Sequence, residues 1–146
     1  MRKIGSGGAG SVGEGGMGMR RAVKTDRAPA AVGPYSQAVL AGETLYVSGQ
    51  IALDPATGGA VGSTAAQQTR GVLENLRAIV EAAGMSLADV VKVTVYLVDL
   101  REFGAVNEVY AGFFPGDPPA RATVEVSALP KGMLVEMDAV AVRRTP

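Results

Sequence analysis

From Thr64 to Ala83 the apolar side chains return every three or four positions, at Ala65, Val72, Leu73, Leu76, Ile79, Val80 and Ala83, with Thr69 on the same stripe. That spacing collects them on one face and predicts an amphipathic helix. Thr64 followed by Gln67 resembles a capping box, and Gly84 stands where a helix commonly ends on a glycine. Elsewhere the period falls to two. Val91, Val93, Val95 and Leu97 alternate with Lys92, Thr94 and Tyr96 over 90–98, which predicts a half-buried strand. Tyr35 to Leu40 and Thr44 to Ile51 read as a hairpin around Ala41-Gly42-Glu43.

Asp99 then reads as an N-cap with Glu102 at the capping-box position, opening a second helix from Leu100 to Phe114 that Pro115 stops. Its apolar face is Phe103, Val106, Tyr110 and Phe113 or Phe114. Two more period-two segments follow, Ala122 to Val126 and Met133 to Val142. The order β-β-α-β-α-β-β predicts one α+β domain, a mixed sheet with two helices packed on one face. The first 18 residues are Gly- and Ser-rich and are expected to be a disordered extension. Arg2 and Lys3 give a faint transit-peptide character that the Gly runs oppose. The domain is then residues 19–146.

Composition narrows the chemistry. The apolar fraction is 47% and the charged fraction 19%, enough to build a core in 146 residues. The chain has no Cys and no His, so thiolate metal sites, cysteine nucleophiles and imidazole bases are excluded. No metal and no cofactor is expected. Net charge is zero, which offers no general grip on nucleic acid. The local basic group Arg20, Arg21, Lys24 and Arg27 reads as a solubilising tail. No apolar run approaches the roughly 20 residues that span a bilayer, so no membrane partner is expected and the expected location is cytoplasmic.

Three polar residues break their local pattern. Asn107 sits on the apolar stripe of the second helix, where an amide needs a partner. It either bonds a nearby carbonyl or points into a site. Glu136 interrupts Met133-Leu134-Val135-Glu136-Met137, where partial desolvation would raise its pKa and suit it to polarise water. A solvated strand face is the plainer reading. Arg121 opens a strand after a double proline; the plainer reading is an exposed cation at a strand start, but its planar fork matches a carboxylate as Lys would not.

Gly33-Pro34-Tyr35, Val47-Ser48-Gly49-Gln50-Ile51, Asn75-Leu76, Val106-Asn107, and Pro119-Ala120-Arg121 followed by Leu129-Pro130-Lys131-Gly132 and Val135-Glu136-Met137 appear in order along the chain. In these blocks the chain resembles the RidA/YjgF family of reactive-intermediate deaminases. The resemblance implies a homotrimer, similar in fold to the small trimeric chorismate mutases, with pockets between subunits. It implies hydrolysis of 2-enamine/2-imine acids, such as 2-aminoacrylate, 2-iminopropionate and 2-iminobutanoate, to 2-keto acids and ammonia. Arg121 would hold the substrate carboxylate and Glu136 would activate water. Tyr35, Ser48, Gly49 and Asn107 would line the pocket, with the backbone N–H of Thr123 as a further donor. Many members carry Cys where this chain has Thr123, and Glu where it has Asp138. A non-catalytic trimer that senses 2-keto acids would need Arg121 but not Glu136. Ribonuclease activity, sometimes attributed to relatives, is disfavoured by zero net charge and the lack of His.

Overall fold

In the computed structural model, which describes residues 11–12 and 20–144, the period-two segments pair into one mixed sheet. Its strands are β1 (Ser11–Val12), β2 (Arg20–Lys24), β3 (Ala38–Ala41), β4 (Thr44–Gln50), β5 (Val90–Leu97), β6 (Ala120–Glu125) and β7 (Val135–Val142). The spatial order is β1-β2-β3-β4-β7-β5-β6. Only β5 and β6 run parallel. Parallel neighbours need a crossover, and helix α2 (Phe103–Phe113) supplies it.

Helix α1 (Ala65–Ala82) is held at its start by the capping box of Thr64 and Gln67, and Gly84 follows it with φ +80°. Its buried stripe, including Val72, Leu73, Leu76, Ile79 and Val80, packs over β7, β4 and β2. Val93, Val95 and Leu97 of β5 and Val135, Met137, Ala139 and Ala141 of β7 face the same layer and are buried. Each of the valine, leucine and methionine side chains contributes about 1.5–3 kcal/mol on leaving water, the alanines less. The two helices pack against each other. Among the described residues, no helix is long and apolar enough to cross a membrane.

Several expectations need correction. Residues 20–24, read as part of a solubilising tail, form strand β2, which buries Val23 and pairs with β3. Tyr35 to Gln37 lie in a loop, and the strand there begins at Ala38. β6 starts two residues earlier than expected, at Ala120, and β7 two later, at Val135. Leu100–Glu102 form a separate 3-10 turn capped by Asp99, whose side chain accepts from the Arg101 amide. No Glu102 capping box forms. Val91 sits at a register shift and is exposed, so the inward face of β5 runs from Val93. Of the Gly-rich head, only Ser11–Val12 falls within the described residues, with its backbone paired to β2.

Buried amides fix the segments around β4 and β7. Asn75 of α1 donates to the carbonyls of Ile51 and Leu53, each at 3.1 Å. Gln68 accepts from the Leu134 amide at 2.7 Å, one residue before β7. Such bonds contribute about 1 kcal/mol each and leave a costly orphan if one partner is removed.

Candidate functional site

Val47 and Gln50 of β4 face Ala139 and Met137 of β7, so β4 spends one extra residue across that step. A bulge of this kind re-aims side chains. It presents Gly49 to Glu136. A Cβ on Gly49 would lie 3.0 Å from Cδ of Glu136 and closer still to Oε2. The glycine therefore makes room for the carboxylate. Ser48 is turned toward the preceding loop, where its hydroxyl donates to the Ser36 carbonyl at 2.6 Å. Its amide donates to the carbonyl of Gln37 at 2.9 Å. Tyr35 lies near the end of that loop, half exposed, with its phenol oxygen accepting from the Val32 amide at 3.4 Å. Tyr35, Ser48, Gly49 and Glu136 thus belong to one neighbourhood.

Glu136 is partly buried, and its carboxylate makes no ion pair or hydrogen bond among the described residues. Burial raises its pKa above the ordinary carboxylate value, and the charge of Asp138 raises it further. Tyr96 stands directly opposite Glu136 on β5 and donates its phenol proton to Asp138 Oδ2 at 2.8 Å. That bond to Asp138, followed by burial and the charges of Asp138 and Glu136, raises the Tyr96 pKa.

Arg121 belongs to a second neighbourhood. The parallel register sets it beside Val93, whose side chain points toward the helices. There its guanidinium carbon lies 4.8 Å from the Tyr110 ring centroid and 5.3 Å from that of Phe103, both on α2. Asn107 falls four residues after Phe103 and three before Tyr110, on the stripe that meets Arg121. Its side-chain amide makes no hydrogen bond among the described residues. Arg121 has no carboxylate partner among them either.

Thr123 follows two residues later on the same side of β6. The Val126 amide donates to the Leu97 carbonyl at 2.8 Å. The alternation of a strand then sends the Thr123 N–H outward, past the free edge of the sheet. That donor remains open to a ligand.

The two neighbourhoods do not meet within one protomer. Glu136, Tyr96 and Val124 are in register across β7, β5 and β6, and so share one face. Arg121 and Thr123 alternate with Val124 and lie on the other face, under α2. Sequence reasoning also missed two features. It read Phe103 and Tyr110 as core alone, although their spacing around Asn107 marked a shared stripe. It saw Asp138 as a departure but not its bond to Tyr96. Among the described residues no group of His, Cys, Asp and Glu side chains is placed to hold a metal ion.

The domain thus presents, under one helix, an arginine without a carboxylate partner among the described residues and, on the opposite sheet face, a carboxylate without an ion-pair partner among them. Comparison with known proteins places it more narrowly. The family model described as Endoribonuclease L-PSP matches residues 25–143, and the chain belongs to this family, also called YjgF/RidA. It is 54% identical to a RutC family protein of Pyrococcus horikoshii over 84% of this chain and 98% of that protein. It is 49% identical to the 2-iminobutanoate/2-iminopropanoate deaminase of Rattus norvegicus, over 86% of this chain and 91% of the relative. Among solved structures, E. coli TdcF with bound serine superposes with a TM-score of 0.81 at 44% identity, covering 84% of this chain and 98% of that one.

Proposed function

We propose that this protein hydrolyses reactive 2-enamine/2-imine acids, 2-aminoacrylate/2-iminopropionate and 2-iminobutanoate among them, to 2-keto acids and ammonia. It acts as a cytoplasmic homotrimer whose sites lie between protomers. The observation that carries the reading is the pair of unmatched charges on opposite sheet faces. A guanidinium and a carboxylate with no charged partner among the described residues of their own protomer become one site when the open face of a neighbour meets the edge of β6. One protomer supplies Arg121, Asn107 and the Thr123 N–H; its neighbour supplies Glu136, Gly49, Ser48 and Tyr35. The relative named as a 2-iminobutanoate/2-iminopropanoate deaminase supports the substrate class. So does TdcF, because the serine bound to it carries a carboxylate and a nitrogen at C2.

Arg121 holds the substrate carboxylate through a two-point contact, helped by the Thr123 amide. The imine carbon is already electrophilic, so positioning supplies much of the catalysis. Glu136 takes a proton from water as the oxygen bonds to C2 and passes it to nitrogen, giving a neutral carbinolamine. It then takes the carbinolamine hydroxyl proton and delivers it to nitrogen as the C–N bond breaks, which leaves the C=O of the 2-keto acid and releases ammonia. A carboxylate with a raised pKa suits both halves of that proton transfer better than an ordinary one. No metal or cofactor enters the scheme.

A 2-keto-acid sensor would use Arg121 and have no need of Glu136. The clearance that Gly49 gives the Glu136 carboxylate favours the enzyme. The test generates 2-aminoacrylate with a serine dehydratase and follows pyruvate release. This protein should accelerate it at catalytic levels. No acceleration at stoichiometric levels would rule the enzyme out, and pyruvate binding without acceleration would leave the sensor.

A further inference from the structure

We propose that Tyr110 is a positioning residue, whose ring, together with that of Phe103, holds the Arg121 guanidinium in the pose that receives a carboxylate. Phe103 and Tyr110 lie two turns apart on one stripe of α2, and the guanidinium carbon sits within cation–π range of both rings. The two walls differ. Phe103 is 40% exposed and forms the outer one, whereas Tyr110 is 6% exposed and forms the inner one. Tyr110 cannot swing away. Phe114 packs against it with ring centroids 4.8 Å apart, and the core closes behind.

An arginine in this position would ordinarily be anchored by a carboxylate, and Arg121 has none among the described residues. A carboxylate anchor would also compete with the substrate for the same N–H groups. Aromatic faces restrain the guanidinium without occupying its donors, which lie in its plane. The side chain thereby loses rotamer freedom on folding instead of on binding. The phenol oxygen itself is buried with no hydrogen-bond partner. Burial pushes its pKa up to about 12, against the opposing pull of the Arg121 charge. The Tyr110 hydroxyl therefore stays neutral and leaves the arginine charge for a ligand.

The inference rests on the proposed role of Arg121, so its test reads the bracket and the function separately. The Arg121 Nε–H resonance, identified by its loss in Arg121→Lys, is followed by NMR, with pyruvate titrated as the probe. In the wild-type protein the resonance should be sharp and shifted upfield by the two ring faces. Tyr110→Leu should return it toward the ordinary arginine position and weaken pyruvate binding roughly tenfold. KM should rise by a similar factor while kcat stays within about twofold. Tyr110→Phe keeps the ring and should restore both the shift and the affinity. Phe103→Leu, at an exposed position, should give a smaller change of the same kind in a folded protein, so the bracket stays testable if Tyr110→Leu does not fold. An unshifted wild-type resonance, or unchanged shift and affinity in Tyr110→Leu or Phe103→Leu, overturns the proposal. A Tyr110→Phe as weak as Tyr110→Leu overturns it too, by giving the role to the hydroxyl. A shifted resonance in a protein that neither binds pyruvate nor accelerates its release would keep the bracket and reject the proposed function.

Discussion

Arg121 lies on the sheet face that α2 covers, whereas Glu136 lies on the face that a single protomer leaves open. The first lies against two aromatic rings of α2. The second is restrained by what has been removed, since a glycine in a β-bulge gives its carboxylate room. Charge is handled differently as well. The rings leave the cation available at the edge of the sheet. Burial and the nearby Asp138 make the Glu136 anion more costly than usual. One face thus suits binding of a permanent charge, and the other suits a group that gains and loses a proton.

Perturbing each face should separate those roles. Arg121→Ala removes the permanent charge proposed to hold the substrate carboxylate and should abolish measurable turnover, with a loss of at least about 10³-fold in kcat/KM. Its oligomeric state by light scattering should not change. Glu136→Gln should lower kcat by about 10²–10⁴-fold while leaving pyruvate binding within severalfold. Equal losses in kcat and binding would reduce Glu136 to a contact.

The same substitution carries a stability prediction with a defined sign. A carboxylate whose folded pKa is raised holds its proton more tightly when folded. Its unfavourable contribution therefore grows as pH rises from the unfolded value through the folded one, and persists above it. Glu136→Gln should raise the melting temperature at pH 7 and lose that advantage under acid, as expected where activity conflicts with stability.

Gly49→Ala is a subtler attack on the open face. The new methyl would meet the end of a flexible side chain instead of backbone, so the fold should survive with its melting temperature nearly unchanged. The displaced carboxylate should lower kcat by roughly tenfold, since small misplacements of a catalytic group are felt strongly. Crystallography of the variant would show Glu136 turned away. The smallest effect is expected from Asp138→Asn. Removing its charge lowers the Glu136 pKa, so the acid limb of the kcat/KM profile should move to lower pH. A shift to higher pH would show that Asp138 does not act through its charge.

How much of this was legible in the sequence differed by element. Helix α1 was plain, because a long 3.6 period and a reciprocal cap agree. β2 was not, since Val23 is the only fully buried side chain among Arg20-Arg21-Ala22-Val23-Lys24 and the charges conceal the alternation. The bulge at Val91 was hidden for the opposite reason. A valine there fits a regular strand, and only pairing with β7 reveals the slip. Glu136 and Arg121 could be singled out one by one, from a carboxylate among apolar neighbours and a fork after two prolines. Their placement on opposite faces could not, because that depends on which residues of β5, β6 and β7 stand in register. Tyr110 was legible as core; that its ring faces Arg121 is a tertiary fact.

In the proposed trimer each site takes Arg121 from one protomer and Glu136 from its neighbour. Co-expression of Arg121→Ala with Glu136→Gln, followed by purification of the mixed oligomer, tests it most directly. Each variant alone should be inactive. In a randomly mixed closed ring, about one cleft in four receives both native residues, so roughly a quarter of wild-type activity should return. A mixed oligomer as inactive as its parents would rule out the shared site and require one complete within one chain.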